Sequence, residues 1–256
     1  MLHVTRRSYL VASAALFAVV YAILGLFPVS AYIGVNSFLT FREVVSPLAG
    51  MIFGPVTGGL SMVIGNFVDF AFGRPVVFDF LDFVPDLASA VLAGLVFTGK
   101  RKAAVAFPIV LLVWYSLDPL SLDSVQVGGV SVPFYWMHVL SVAVLGAALF
   151  LEARKTIGRL HPAFIAATVF ASTMVGHIAG SIVYENVLGR INAVLAPGAL
   201  DANWTLIFYA YPAERVAFTL LGTIVAIPVL RSLSRRKGGQ GAGSGSSDAG
   251  TPGSTF

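Results

Sequence analysis

The chain has 256 residues, 57% of them hydrophobic and only 11% charged, with a net charge of +4 and no cysteine. Soluble domains carry about 25% charged residues, so too few charges are present to build a water-facing surface, and lipid must replace water over most of it. A soluble enzyme and a nucleic-acid-binding module are thereby excluded. The missing cysteine also excludes disulfides, thiolate catalysis and Cys-based zinc or iron sites.

Eight apolar segments follow one another along the chain: 8–29, 42–53, 56–72, 82–98, 103–117, 133–151, 162–188 and 204–233. Their spread predicts an all-α integral membrane protein, one transmembrane helical domain over 1–233. Arg6 and Arg7 precede the first segment, but the run is about 20 residues, beyond the usual 7–15 of a signal-peptide core, so a retained first helix is expected. The second and third segments adjoin at Gly54-Pro55, and the second falls short of the ~20 residues of a full span, predicting a re-entrant or strongly tilted piece. The tail 238–256 is rich in Gly and Ser and is expected to be a disordered cytoplasmic extension.

Charge placement supports an even number of crossings. With the N-terminus inside, the inner loops collect Arg6, Arg7, Lys100, Arg101, Lys102, Arg154, Lys155, Arg159, Arg231, Arg235, Arg236 and Lys237, whereas the outer side holds Arg42, Arg74 and Arg190. Each missed span would reverse the side of every later loop and scramble this separation. Both termini are therefore expected in the cytoplasm of a multi-pass protein of the cell membrane.

Several polar residues interrupt the apolar runs. Asp69, Asp79, Asp82 and Asp86 cluster at the outer ends of the third and fourth segments. Asp79, Asp82 and Asp86, at i, i+3 and i+7, would share one face if all were helical, a face suited to a metal or a cationic substrate. Asp82 precedes Pro85 and also suits an N-cap of the fourth helix. Asp86 lies deeper, where an ionisable residue is functional by default. His177, Ser181 and Tyr184 share a face of the seventh segment, with Glu185 beyond them. In the eighth, Pro212 breaks the backbone ladder beside Tyr209, Tyr211 and Glu214. Glu214 and Arg215 point about 100° apart, so each is expected to pair elsewhere, Arg215 with Asp69, Glu43 or a substrate carboxylate. Ala14, Ala18 and Ala22 form a small-residue stripe open to internal packing or to docking with another protein. No Walker A, H-E-x-x-H or G-x-S-x-G motif is present, so none of those hydrolytic chemistries is indicated.

Three features together resemble the substrate-binding S components of energy-coupling factor (ECF) vitamin transporters. They are the Ala14-x3-Ala18-x3-Ala22 stripe, the run Pro47-Leu48-Ala49-Gly50-Met51-Ile52-Phe53-Gly54-Pro55-Val56-Thr57-Gly58-Gly59, and the pair Gly176-His177-Ile178-Ala179-Gly180 and Tyr211-Pro212-Ala213-Glu214-Arg215. The family has six helices; the two extra segments here form a hairpin inserted at 103–151, which preserves the parity of the crossings. The resemblance implies a binder of a vitamin or related metabolite and no enzymatic activity. It implies no directly bound cofactor or metal; ATP would be consumed by two cytoplasmic ATPase subunits acting through a transmembrane coupling (T) subunit. By position, the substrate would be held by Tyr32, Asn36, Asn66, Asp69, Asp82, Asp86, His177, Tyr184, Tyr209 and Glu214, and Ala14, Ala18 and Ala22 would dock the T subunit. Two other classes fit the residues: a Mg²⁺-dependent membrane lipid transferase using Asp79, Asp82 and Asp86, and a stand-alone proton-coupled transporter using Glu214 or Asp69.

Overall fold

The computed structural model describes residues 6–31, 33, 38–192 and 197–242. It is a helical bundle with two small hairpins: α1 (Arg6–Leu24), β1 (Pro28–Ala31), β2 (Phe38–Thr40), α2 (Arg42–Ala71), α3 (Val84–Phe97), α4 (Arg101–Leu117), β3 (Ser124–Val127), β4 (Val130–Pro133), α5 (Trp136–Ala153), α6 (Pro162–Tyr184) and α7 (Pro197–Ala242). A π-helical turn, Glu185–Ile191, extends α6. Helix α7 continues to Ala242, and the rest of the tail to Phe256 lies outside the described residues.

Each apolar segment coincides with a helix, the second and third being the two halves of α2. At Gly54 the backbone leaves the helical region (φ 81°, ψ 176°), a left-handed conformation open to Gly, and Pro55 disfavours a helical conformation there. The chain folds back on itself. Arg42 and Asp69, about 40 Å apart in a straight helix, are joined by a 2.6 Å hydrogen bond. Glycine lets α2 and α3 touch at this turn: a Cβ on Gly50 would lie 1.9 Å from the Ala90 carbonyl, and one on Gly94 would lie 2.3 Å from the Pro55 nitrogen.

Among the described residues, four helical stretches are long and apolar enough to cross a membrane: Arg42–Ala71, Trp136–Ala153, Pro162–Ile191 and Gly198–Arg235, with shorter apolar helices at Leu10–Leu24 and Val84–Phe97. The first of these turns back at Gly54, so neither half has the length of a full span. Lys100, just before α4, and Arg101 and Lys102, in its first turn, meet Arg154, Lys155 and Arg159, between α5 and α6, at one end of the bundle. There Arg101 and Arg159 both bind Glu152, and Arg159 caps the Phe97 carbonyl at 2.8 Å.

The alanine stripe points inward. Ala14, Ala18 and Ala22 are buried, and a Cβ on Gly65 of α2 would lie 2.9 Å from the Ala18 carbonyl. Small side chains let α1 approach α2, so the docking role read from the stripe is replaced by internal packing. The outward face of α1 carries Val11, Leu16 and Ile23 instead.

The segment 103–151 is not an appendage. Its two helices are joined by the β3–β4 hairpin, whose Gly128-Gly129 turn has positive φ at both positions (57° and 85°), as a type I′ turn requires. Tyr115, Phe134 and Met137 share a core with Met174, Ile178, Tyr184, Trp204 and Tyr211 of α6 and α7.

Candidate functional site

A cavity opens at the end of the bundle opposite the basic loops. It encloses about 880 Å³ of space free of protein atoms, counting the part open to solvent. Each wall is one helix face. Helix α6 contributes Thr173, Gly176, His177, Gly180, Ser181 and Tyr184, and α7 contributes Trp204, Ile207, Ala210, Glu214 and Arg215. Both series step by threes and fours, the spacing of one helical stripe. Pro85, Asp86 and Ser89 of α3, with Asp82 before it, form the opposite wall, and Glu43 of α2 closes one corner. The segment between α1 and α2 adds Ala31, Ile33 and Leu39.

The acidic wall rests on a buried ion cluster. Arg42 lies 2.6 Å from Asp69 and 3.6 Å from Asp86, and Arg74 lies 3.3 Å from Asp69. Asp86 also accepts hydrogen bonds from Tyr21 and Ser46. Asp69 therefore has both its cations on α2 and the turn after it, and Arg215 pairs elsewhere, at 3.7 Å from its neighbour Glu214. That pairing corrects the expectation from helical spacing: the long Arg side chain reaches back across the gap. Arg215 also stacks over Phe218, 5.0 Å from the ring centre, and Glu214 accepts from Ser30 of β1.

Asp82 does not cap α3. Phe83 occupies the N-cap position without a side-chain bond. The Asp82 carboxylate accepts instead from the backbone N–H groups of Val77 and Phe78, both at 3.1 Å, and so holds the loop that precedes it. Burial pushes its carboxyl above the usual range, and these N–H donors only partly oppose that. Asp79 sits in that loop with φ 48°, exposed to solvent. The three carboxylates thus do not share a helix face, and among the described residues no group of three His, Asp or Glu is placed to hold a metal.

The other wall is aromatic. His177 stacks on Tyr211 and Phe134, and its Nδ1 lies 3.0 Å from Nε2 of His138 on α5. The Tyr211 hydroxyl donates to the Phe134 carbonyl at 2.9 Å. Tyr184 meets Trp204 and Phe78 edge-on. Several buried polar atoms lack a hydrogen-bond partner, among them Ser89 Oγ, Trp204 Nε1 and Arg215 Nε on the cavity, and both carboxylate oxygens of Glu185 beside it in sequence.

Of the residues expected to bind substrate, Asp82, Asp86, His177, Tyr184 and Glu214 line this cavity. Tyr32 and Asn36 lie outside the described residues. Asp69 stands behind the wall as a partner of Arg42. Asn66 is fully buried in α2, away from the lining, with both amide atoms unpartnered. Tyr209 faces outward, because it precedes the lining residue Ala210 by one step and so lies about 100° around α7. Glu43, Phe78, Ser89 and Trp204 were missed. Ser89 is one helical turn beyond Asp86, and Trp204 two turns before Tyr211, so stepping along the same faces would have found the first. No family model, no curated protein and no solved structure matches the chain.

Proposed function

We propose that this chain is the membrane-embedded substrate-binding subunit of an ECF-type importer, which captures a vitamin or related small metabolite from the outer side for ATP-driven uptake. The observation that carries this reading is the cavity itself. It lies at the end away from the basic loops, which the positive-inside rule assigns to the cytoplasm, and the α1–α2 segment contributes to it through Ala31, Ile33 and Leu39. In the proposed cycle the cavity binds and orients a ligand, and the chain performs no chemistry of its own. A T subunit and two cytoplasmic ATPases supply the energy. Since Ala14, Ala18 and Ala22 are occupied by α2, the T subunit docks on another surface.

Purification from native membranes, followed by mass spectrometry of bound small molecules and pull-down of partners, tests the proposal. The expected result is a stoichiometric small molecule together with an ATPase-containing complex. Uptake by the lone protein in liposomes, driven by a proton gradient, would overturn it in favour of a secondary transporter.

A further inference from the structure

We infer that the ligand of this cavity is an organic cation with a compact apolar body and a hydrogen-bond acceptor. This rests on the binding role proposed above and adds the chemistry of what is bound. The first argument is charge. Five carboxylates, Glu43, Asp69, Asp82, Asp86 and Glu214, line the cavity or stand directly behind its wall, against three guanidiniums, Arg42, Arg74 and Arg215. The formal balance of the named groups is −2. A net charge held out of water is costly unless a counter-charge joins it. Among the described residues no cation forms an ion pair with Asp82, which is 5% exposed and accepts hydrogen bonds from the backbone N–H groups of Val77 and Phe78.

The second argument is the surroundings of that carboxylate. Phe78, whose N–H binds Asp82, packs against Tyr184 with ring centres 6.4 Å apart, and Tyr184 packs against Trp204 at 5.2 Å. All three rings line the cavity together with Asp82. Aromatic rings around a carboxylate form a cage for an ammonium group, whose cation–π attraction grows when water is excluded. Arg215, also on the cavity, has its charge partly offset by Glu214 at 3.7 Å.

The third argument is independent of charge. Trp204 Nε1, Ser89 Oγ and Arg215 Nε, on residues 2%, 3% and 6% exposed, line the cavity without a hydrogen-bond partner among the described residues. Buried donors left unmatched are rare in folded proteins, and here a ligand acceptor such as a hydroxyl or carbonyl would satisfy them.

Choline and 3,3-dimethylbutan-1-ol have the same shape and the same hydroxyl but differ in charge. Calorimetry of the purified full chain with each gives the test. Choline is expected to bind at least about tenfold more tightly, the scale of a desolvated cation–π and carboxylate contact. Asp82→Asn should remove most of that ratio while leaving the alcohol unaffected, and Glu43→Gln provides a second variant should Asp82→Asn not fold. Equal binding of the two probes, no saturable choline binding, or a ratio unchanged in both variants overturns the inference. A neutral or anionic molecule co-purifying with the chain overturns it too, but leaves the uptake role standing. A chain that co-purifies with nothing and binds neither probe overturns both.

Discussion

Replacing Arg42 by Leu is the most severe single test of the ion cluster behind the cavity. Arg42 is 3% exposed and bridges Asp69 at 2.6 Å and Asp86 at 3.6 Å. At an effective dielectric near 20 these contacts are worth about 6 and about 5 kcal/mol of attraction. Desolvation of three ions cancels much of that, but it is not recovered when only the cation is removed. Two carboxylates would then stay buried, one of them with Arg74 alone for a partner, and breaking buried pairs in this way costs about 3–5 kcal/mol. For a chain of this size each kcal/mol lowers Tm by about 2–4 °C, so Arg42→Leu should melt about 6–20 °C below wild type in scanning fluorimetry. The triple variant Arg42→Leu, Asp69→Leu, Asp86→Leu removes all three charges and should recover most of the loss, because a buried ion group exchanged whole for apolar residues is often neutral or stabilising. A single variant within about 2 °C of wild type, or a triple variant no better than the single, would refute the reading of a desolvated cluster.

Four further outcomes follow from the same geometry. Gly50→Ala places its Cβ 1.9 Å from the Ala90 carbonyl, forcing α2 and α3 apart at an overpacking cost of about 1–3 kcal/mol, measured as a Tm loss that Gly146→Ala, with nothing within 4 Å of its Cβ, should not show. Phe134→Ala removes a ring that is 1% exposed and packed on His177, Trp204 and Tyr211, and should cost about 3–5 kcal/mol in denaturant titration. Glu185→Gln exchanges a fully buried carboxylate, neither oxygen of which is hydrogen-bonded, for a neutral isostere and should leave Tm equal or raise it; a marked fall would show that the charge is stabilised by something not accounted for. For Asp82 the folded carboxyl lies above its unfolded value through burial, so its favourable contribution is complete below about pH 3.9 and is lost as pH rises through the folded value. The Tm of Asp82→Asn relative to wild type should therefore rise between acid and neutral pH, and a relative fall would invert the sign and exclude the argument.

What the sequence made legible follows from what lipid demands. Apolar runs had to be helices, so each of the eight segments falls on a helix, although among the described residues four stretches are long and apolar enough to cross a membrane, and Phe53-Gly54-Pro55 marked the fold-back because only Gly takes the required φ and Pro stops the preceding turn. Direction was harder. In a soluble helix the apolar face points inward, but in lipid both sides of a helix are apolar, so the Ala14, Ala18, Ala22 stripe gave a packing surface without naming its partner. The two hairpins were not anticipated: β1 and β2 are four and three residues long, and β1 begins inside the first apolar segment, where a helix is expected. Asp82 was misread as a cap because its loop, with Asp79 and Phe80 both at positive φ, brings the Val77 and Phe78 amides within its reach.

The two walls of the cavity are built by different physics, and this bears on what the site can do. The acidic wall stands on α2 and α3, locked at Gly50, Gly58 and Gly94, where a single Cβ has no room. Its carboxylates are therefore held in place before any ligand arrives, which lowers the ordering cost of binding. The aromatic wall is fixed from behind by α4 and α5. His138 reaches His177, and Phe134 supports Tyr211, so the α4–α5 hairpin sets the rings against which a ligand would rest. Among the described residues, unpartnered polar atoms also occur away from the cavity, on Asn66, Tyr115, His138, Ser172 and Glu185, but Ser89, Trp204 and Arg215 carry theirs on its lining, beside an Asp82 that forms no ion pair. On that preformed surface they bear on the charge and the hydrogen bonding of the molecule that would complete it.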